Sequence, residues 1–394
     1  MSGSYREWEQ VSVDVAGDAY AVATKPGVPA HGSADTASIL LGQHVRVAKG
    51  DTVVYMNCGN GLAPAVGARA NNARRIVSTE RSIVSVEAAR RTLAANPGKP
   101  VEIVAGHGAF GIATPAVADV VAIRIPHEKL ALVQLLYDAF RMLKTGGVCY
   151  ISGANNEGIK SATKLLERAF GNSTLLAYDS GHRIVSAVKE SDTPGDDEVF
   201  ESPFLPSDAF KEIDVNIRDQ SFRVYSRPGV FSWDHLDEAT QVLAGQMMVV
   251  PGASVLDLGC GSGPLGILAS RLAGGGTLTM VDADVEAVRS AKKSADAAGV
   301  ADYRAMPSDV AGAVIDERFD LVVTNPPFHL GKHTELSVPM QFIEDAWEVL
   351  SPGGQLFLVA NRTLPYETPI RRRFGNVLMV HDGRRFKVLT ATKT

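Results

Sequence analysis

Four consecutive residues, Asn325-Pro326-Pro327-Phe328, carry the clearest chemical signal in the chain. They follow the apolar run 319–324, which we predict to be a buried strand, and ligands bind near the carboxyl ends of such strands in open α/β sheets. Because two prolines stiffen the backbone and donate no hydrogen bond, the Asn325 side-chain oxygen and the Pro326 carbonyl form a fixed pair of acceptors. This pair suits the exocyclic amine of a nucleobase, since holding its N–H bonds aims the nitrogen lone pair and no strong base is needed. We expect Phe328 to stack on the base.

A glycine-rich turn, residues 257–263 (DLGCGSG), lies between a predicted strand and a predicted helix. Its glycines permit close approach of a ligand, and the following helix offers unpaired N–H groups. Spacing alone leaves open a nicotinamide dehydrogenase, because Gly261, Gly263 and Gly266 satisfy the dinucleotide fingerprint. Asp257, however, suits the charged amino group of methionine better than a pyrophosphate. The pattern resembles the first motif of class I methyltransferases, in which Asp257, Gly259, Gly261 and Gly263 would hold S-adenosylmethionine.

Two further acidic residues are candidates for the cofactor, and several residues are candidates for the substrate. Asp282 ends a strand-like run about twenty residues after the glycines and is expected to accept ribose hydroxyls, while Asp309 in PSDV is expected to accept from the adenine amino group. A plain loop carboxylate is the alternative for Asp309. Lys332 and His333 are expected to meet RNA phosphate, and His329 is counted with Lys332 among the substrate contacts. No third ligand type stands near His329 and His333 at typical spacing, so we expect no metal.

The sequence repeats itself at long range. Residues 53–61 (VVYMNCGNG) align with residues 255–263 (VLDLGCGSG) at an offset of 202, and the same offset places Glu80 against Asp282. In both halves strands alternate with helices, which predicts mostly parallel, doubly wound sheets. We therefore predict an α/β protein with two tandem doubly wound, Rossmann-like class I methyltransferase domains, the first one degenerate. The expected boundaries are 1–190 and 210–394, with a Pro- and Asp-rich linker at 191–209.

The first copy departs from the second at the chemical positions. Tyr55 replaces the motif aspartate, Asn57 replaces the first glycine, and Arg124-Ile125-Pro126-His127 stands where the tetrad would be. The acceptor pair is gone, so we predict that residues 1–190 do not methylate and serve as a binding or scaffold domain. Whether they still bind cofactor through their remaining glycines and Glu80 is left open.

Composition is that of an ordinary globular protein, with 394 residues, 45% hydrophobic and 21% charged. The net charge of −5 hides a basic tail, because residues 361–394 carry eight Lys or Arg against two acidic residues, near +6, and the rest is near −11. Such a tail fits phosphate contact or a solvated surface. We count Arg371 of this tail, and Pro327, among the substrate contacts. Three cysteines give no disulfide framework, and no signal peptide or membrane span is recognised, so we expect a cytosolic protein acting as a monomer.

Several stretches together resemble a known family: GVFSWDHLDEATQVL, VLDLGCGSGPLGILA, LVVTNPPFHLGK, SPGGQLFLVANRTLPYE and the terminal FKVL. They are similar to bacterial ribosomal RNA guanine-N2 methyltransferases, most closely the small-subunit (RsmC-type) enzymes, closely over 210–394 and more loosely over 1–190. The resemblance implies that the tetrad acts at a guanine amine of 16S ribosomal RNA, with the small ribosomal subunit as partner. Trp233 departs from the pattern, where a smaller or charged residue is expected.

Other functions remain compatible with the residues. The same type of tetrad serves adenine-N6 and protein glutamine-N5 methyltransferases, and a guanine of 23S ribosomal RNA is a further candidate substrate. Phe328 followed by His329 favours ribosomal RNA. We rank last a non-catalytic RNA-binding assembly factor, because it would leave the intact second-half motifs unexplained.

Overall fold

The chain folds into two units that divide between Ala209 and Phe210, and each unit contains one seven-stranded mixed sheet. The structure is a computed structural model that describes residues 5–112, 118–327 and 336–394. In both sheets most neighbouring strands run parallel, with antiparallel strands at one side. The prediction of two tandem doubly wound domains is confirmed.

The first unit begins with a hairpin and continues into the alternating fold. Its strands are β1 (Glu9–Val15), β2 (Asp18–Thr24), β3 (Thr52–Met56), β4 (Arg75–Glu80), β5 (Val101–Ala105), β6 (Ala118–Arg124), β7 (Leu143–Ala154), β8 (Thr174–Asp179) and β9 (His182–Val188). Its helices are α1 (Thr36–His44), α2 (Leu62–Ala70), α3 (Ile83–Ala95), α4 (Lys129–Met142) and α5 (Ile159–Phe170). The sheet order is β5-β4-β3-β6-β7-β9-β8.

The second unit repeats this plan. Its strands are β10 (Lys211–Ile217), β11 (Gln220–Ser226), β12 (Val255–Leu258), β13 (Leu278–Asp282), β14 (Tyr303–Pro307), β15 (Phe319–Thr324), β16 (Leu350–Asn361), β17 (Leu378–Asp382) and β18 (Phe386–Thr392). Its helices are α6 (Glu238–Gln246), α7 (Pro264–Ala273), α8 (Val285–Ala298), α9 (Ser337–Val349) and α10 (Glu367–Phe374). The order β14-β13-β12-β15-β16-β18-β17 matches the first sheet position by position.

The central strands explain where the site lies. All residues of β3 and β12 are buried, as expected for strands covered by helices on both faces. From β12 the chain moves to β13 on one side, and β15 pairs with β12 on the other. The sheet order therefore reverses between β12 and β15, and ligands bind in the crevice outside the carboxyl ends of strands at such a point.

The segment 191–209, expected to be a linker, packs on the first unit. It contains a short 3-10 helix, Asp197–Phe200, and Val199 belongs to the buried apolar cluster of that unit. The ring of Phe200 lies 5.4 Å from the ring of Tyr137. The independent second unit accordingly starts with the hairpin β10–β11, whose strands pair from Lys211–Ser226 to Ile217–Gln220.

Candidate active site

The end of β15 presents the predicted acceptors. Asn325 is half-buried and its amide nitrogen Nδ2 donates two hydrogen bonds, to Asp237 Oδ2 at 3.1 Å and to Thr240 Oγ1 at 3.0 Å. The amide oxygen Oδ1 is buried and has no hydrogen-bond partner among the described residues. Pro326 is buried and Pro327 is exposed. A buried acceptor without a partner costs free energy, and an amine that donates to Asn325 Oδ1 would remove that cost.

The remaining residues of the predicted substrate site at this loop are Phe328, His329 and Lys332. They lie outside the described residues, as does His333, and their assignments stay predictions. Within the described ranges, no group of three or more His, Cys, Asp or Glu residues is placed to hold a metal ion. Nor does any helix in those ranges combine the length and apolar character needed to cross a membrane.

The glycine turn joins β12 to α7 with three residues in the left-handed region. Gly259, Gly261 and Gly263 have φ of 76°, 54° and 87°, values that L side chains rarely adopt. Gly263 is the N-cap of α7, and a Cβ there would lie 3.0 Å from the sulfur of Met280. A Cβ at Gly261 would meet nothing within 4 Å, so the space above this residue is open to a ligand. The turn thus places a helix N-terminus beside an open backbone surface.

Asp257 lies beneath this turn and is 1% exposed. Its Oδ2 accepts from the Gly266 backbone N–H at 2.8 Å, whereas Oδ1 is buried and has no hydrogen-bond partner within the described part of the chain. Burial raises the pKa of Asp257 to about 7, the Gly266 N–H opposes the rise, and the nearby Asp282 carboxylate adds to it. A cation at this place would stabilise the ionised form. The orphaned oxygen and the open turn fit the charged amino end of S-adenosylmethionine.

Asp282 ends β13 beside the same turn. Its two oxygens accept backbone hydrogen bonds, Oδ2 from Gly261 and Oδ1 from Asp284, both at 2.9 Å. Each carboxylate oxygen has capacity for a second bond. These two backbone donors fix the carboxylate at the carboxyl edge of the sheet, beside the glycine turn.

Asp309 follows β14 in a loop whose geometry the sequence did not predict. It is half-buried, and the next residue, Val310, has φ of 52°, a strained conformation for a β-branched side chain. The adjacent Ala311 N–H donates to Asp345 Oδ2 at 3.1 Å, and Asp345 lies buried on α9. Sequence reasoning missed Asp345, although an acidic residue within the apolar face of a predicted helix was an available signal.

Asp237 and Thr240 were also missed. Asp237 is the N-cap of α6, and its Oδ2 accepts from the Thr240 backbone N–H at 2.8 Å. A capping residue before a core helix was readable from the sequence. Its contact with Asn325, 88 positions away in the chain, was not.

Most cations of the basic tail have acidic partners. Ion pairs join Arg362 to Asp382, Arg373 to Glu344 and Glu348, Arg372 to Glu344, Arg385 to Glu238 and Lys387 to Glu367. Lys393 Nζ donates to the backbone carbonyls of Glu348 and Leu350. Arg371 and Arg384 are exposed and form no ion pair among the described residues. Of the cations in the tail, these two arginines are therefore the candidates for contact with RNA phosphate. Arg371 lies in the last turn of α10.

In the first unit the register identifies the counterpart of the tetrad. Val53 pairs with Val120, and at the equivalent positions Val255 pairs with Leu321, so Arg124 occupies the place of Asn325. Its guanidinium Nη2 lies 2.6 Å from Glu157 Oε1 and 3.5 Å from Asp35 Oδ1, and Nη1 donates to the Ile125 carbonyl at 2.9 Å. A donor therefore replaces the amide oxygen.

Comparisons with known proteins agree with this geometry. The model of the methyltransferase small domain family matches residues 19–186 and 221–390. Ribosomal RNA small subunit methyltransferase C of Hahella chejuensis is 32% identical over 72% of this chain and 80% of its own length. The enzyme of the same name from Pseudomonas aeruginosa (strain UCBPP-PA14) is 33% identical over 63% of this chain and 72% of its own.

A solved structure extends the likeness to both units. The Thermus thermophilus 16S rRNA N2 G1207 methyltransferase (RsmC), in complex with AdoMet and guanosine, is 27% identical with a TM-score of 0.80, over 98% of each chain. The resemblance inferred from the motifs is thereby confirmed. The chain belongs to the methyltransferase small domain family, in its group of ribosomal RNA small subunit methyltransferases C.

Proposed function

We propose that this chain transfers a methyl group from S-adenosylmethionine to the exocyclic N2 amine of a guanine in 16S ribosomal RNA. The observation that carries the proposal is the buried, unpartnered Oδ1 of Asn325 on the strand next to the glycine turn. Membership in the small-subunit methyltransferase C group supports the substrate, and the solved relative with AdoMet and guanosine supports the cofactor and the base.

The cofactor site is assigned to the carboxyl edge of β12, β13 and β14. S-adenosylmethionine, when bound there, supplies the activated methyl group. We assign the amino end to Asp257, the ribose to Asp282 and the adenine to Asp309, with the turn backbone of Gly259, Gly261 and Gly263 beneath them. The buried Asp257 carboxyl supports its role because Oδ1 has no hydrogen-bond partner among the described residues, and the Asp282 carboxylate supports its role because two backbone N–H groups hold it beside the glycine turn.

The chain's own contribution to the reaction is orientation of the amine. Guanine N2 is a weak nucleophile because its lone pair is delocalised into the ring. Asn325 Oδ1 and the Pro326 carbonyl accept its two N–H bonds and turn the lone pair out of the ring plane. As the new N–C bond forms, the bond from the methyl carbon to the cofactor sulfur would break and leave the neutral thioether S-adenosylhomocysteine. The methylated nitrogen is then acidic, so water suffices to accept its proton. No side chain is needed as a strong base.

Substrate contacts complete the assignment. We assign base stacking to Phe328 and backbone or phosphate contacts to Pro327, His329, Lys332 and Arg371. Exposure of Pro327 and Arg371 supports their accessibility to RNA. The first unit is assigned a binding or scaffold role without methyl transfer. We further propose that the protein acts as a monomer in the bacterial cytoplasm, where its substrate, the small ribosomal subunit, is assembled.

Methyl transfer with labelled cofactor tests this function. Small ribosomal subunits and naked 16S RNA, both from a strain lacking the gene, are incubated with the chain and labelled S-adenosylmethionine, and digested nucleosides are identified by mass spectrometry. We expect label in N2-methylguanosine of 16S RNA at one position, mapped by primer extension. Label in N6-methyladenosine, in 23S RNA or in protein glutamine would replace the proposed substrate. Cofactor binding without any transfer would leave a non-catalytic RNA-binding factor.

A further inference from the structure

We propose that Asp237 and Thr240 are positioning residues that lock the Asn325 amide with its oxygen towards the substrate amine. This inference rests on the proposed function and concerns residues that need not touch substrate or cofactor. The Asn325 Nδ2 group donates to Asp237 Oδ2 at 3.1 Å and to Thr240 Oγ1 at 3.0 Å, which uses both of its N–H bonds. The oxygen on the other arm of the amide is then the one left buried without a partner.

The lock follows from the chemistry of the two partners. An asparagine amide has nearly the same shape after a 180° flip, so shape alone does not choose between its oxygen and its nitrogen. A carboxylate only accepts hydrogen bonds, so a flipped Asn325 would set its oxygen against the Asp237 oxygen and point two N–H groups at the substrate. An N–H group cannot accept from an amine. Asp237 therefore selects the orientation, and Thr240 supplies the second acceptor.

The two positioning residues are themselves held firmly. Asp237 caps the first turn of α6 by accepting the Thr240 backbone N–H at 2.8 Å, and the Thr240 side chain is buried at 6% exposure. Both acceptors thus come from one helical turn, so their spacing is set by backbone geometry. Sites supported by such fixed neighbours keep the sub-ångström placement that transfer reactions need.

The first unit carries a corresponding pair of residues at a helix start where there is no asparagine to orient. Asp35 and Ser38 occupy the equivalent positions at the start of α1, where Ser38 Oγ donates to Asp35 Oδ2 at 2.6 Å. There the acid faces the Arg124 guanidinium at 3.5 Å. Within the described residues Asp35 makes no side-chain cap to α1, whereas Asp237 both caps α6 and accepts from Asn325. The test must consequently distinguish loss of the helix cap from loss of the Asn325 orientation.

Paired substitutions make that distinction. Thr240→Val removes the side-chain acceptor, keeps the shape and keeps the backbone N–H that Asp237 caps, while Thr240→Ser keeps the hydroxyl. We expect Thr240→Val to lower kcat roughly tenfold to a hundredfold, as small misplacements of reacting groups do. Thr240→Ser should stay within about threefold of wild type. Asp237→Ala should lose activity similarly, and Asp237→Asn, which keeps an acceptor oxygen, should retain most of it. Asp35→Ala is the matched control and should leave kcat unchanged.

The assay uses the full chain, small ribosomal subunits lacking the modification and labelled S-adenosylmethionine, and initial rates at several subunit concentrations give kcat and KM. Cofactor Kd by calorimetry and the KM for subunits should stay near wild type in every variant, because the lock acts on the amine alone. Thermal unfolding reports folding, and if Asp237→Ala unfolds, the Thr240→Val and Thr240→Ser pair decides. Equal kcat in that pair, or a loss confined to KM or cofactor Kd, overturns the proposal.

A double-mutant cycle tests independently whether Thr240 acts through Asn325. If Thr240 acts only through Asn325, then Thr240→Val should have no further effect on the residual rate of Asn325→Ala. If the two substitutions lowered the rate multiplicatively, Thr240 would act independently of Asn325, and the proposed positioning role would be wrong. Failure of the wild type to label guanine would instead overturn the proposed function itself, so the two failures are distinguishable.

Discussion

The two units share the hydrogen bonds that shape the fold around the site. In the first, Glu80 Oε2 accepts from the Gly59 N–H at 2.9 Å; in the second, Asp282 Oδ2 accepts from the Gly261 N–H at the same distance. The longer side chain of Glu80 therefore makes the same hydrogen bond to its glycine turn as Asp282 makes in the second unit. Bonds that close the turn were kept in both copies, whether or not a cofactor is expected there.

A second shared bond lies under the loop after the third parallel strand. Asp138 on α4 accepts from the Ala109 N–H at 2.9 Å, and Asp345 on α9 accepts from the Ala311 N–H at 3.1 Å. Because both units have this carboxylate, we infer that it holds the loop in shape and does not take part in the chemistry. Equivalence between the halves therefore separates residues that maintain the fold from residues that serve the chemistry.

The differences fall on the chemical positions. Where Asn325 keeps a free acceptor, Arg124 offers only donors and spends them on Glu157, Asp35 and the Ile125 carbonyl, the counterpart of the Pro326 carbonyl. Where Asp257 keeps an orphaned oxygen, the first unit has the buried Tyr55, and burial raises the pKa of its hydroxyl above the usual tyrosine value. An arginine paired with acids of its own unit stands in place of Asn325, and a buried tyrosine stands in place of Asp257. These replacements support the prediction that the first unit does not transfer methyl groups.

Asn325→Ala should produce the largest loss of activity, because it removes the acceptor that distinguishes the second unit from the first. Loss of one preorganised hydrogen-bonding group in an active site costs roughly a hundredfold to a thousandfold in kcat. Cofactor affinity should be unchanged, because the Asn325 side chain is held by Asp237 and Thr240 at the start of α6 and is assigned to the amine and not to the cofactor. Single-turnover transfer and calorimetry measure the two quantities. Activity within threefold of wild type would contradict the assignment of the tetrad.

Asp257 should make cofactor affinity depend on pH. Below its pKa of about 7 the carboxyl is neutral, and a bound amino cation favours the ionised form, so binding should release a proton. The Kd for S-adenosylmethionine should fall up to about tenfold per unit from pH 5 to 7, below the range in which an α-amino group loses its own proton.

Asp257→Asn is the matched variant for this pH profile. We expect weaker binding and a flat profile, since no proton is exchanged at residue 257. Glu80→Gln in the first unit should leave the cofactor affinity and its pH profile unchanged. Calorimetry should report one bound cofactor per chain, because Tyr55 replaces the aspartate in the first unit. A second binding site abolished by Glu80→Gln would show that the first unit also binds cofactor.

Arg124→Met should lower the stability of the protein and leave methyl transfer unchanged, the opposite of the result expected for Asn325→Ala. Removing the cation leaves Asp35 and Glu157, 7% and 11% exposed, with an uncompensated charge, which costs about 3 kcal/mol of stability. Methyl transfer at temperatures where the variant stays folded should match wild type. Urea unfolding with parallel activity assays checks both. A large fall in kcat without loss of stability would place the first unit in the chemistry.

Arg371→Ala should have the smallest effect. Arg371 is exposed without an ion pair among described residues, so its loss should raise the Kd for RNA a few-fold and lower the salt dependence by about one phosphate contact. Arg373, paired with Glu344 and Glu348 and stacked on Trp347 at 3.8 Å, is the matched control. Filter binding at several salt concentrations should show no change of slope for Arg373→Ala. Equal slopes for wild type and Arg371→Ala would remove Arg371 from the RNA contacts.

The sequence predicted the fold because its signals are local and repeated. Apolar runs of five or six residues ending in Asp282 or Asn325 read as buried strands, and the offset of 202 revealed the second copy. It did not reveal that residues 191–209 pack on the first unit. A Pro- and Asp-rich composition hides the single buried face of a short segment such as Val199 and Phe200.

Long-range partners of the site were beyond sequence reasoning. The pattern placed Asn325 at a strand end, but the contact with Asp237 depends on how α6 packs. It also gave a basic tail without showing that most of its cations face acids from other elements, such as Arg385 with Glu238. The positive φ of Val310 went unforeseen because the equivalent Gly108 is the residue expected in that conformation.

The central claim is that one unit of two carries out guanine-N2 methyl transfer. It is tested most directly in a strain lacking the gene, complemented with the full-length wild type, Asn325→Ala or Arg124→Met at matched protein levels. N2-methylguanosine in purified 16S RNA is then quantified by mass spectrometry. We expect the wild type and Arg124→Met to restore the modified nucleoside and Asn325→Ala to leave it absent. Restoration by Asn325→Ala, or its loss in folded Arg124→Met, would contradict the claim.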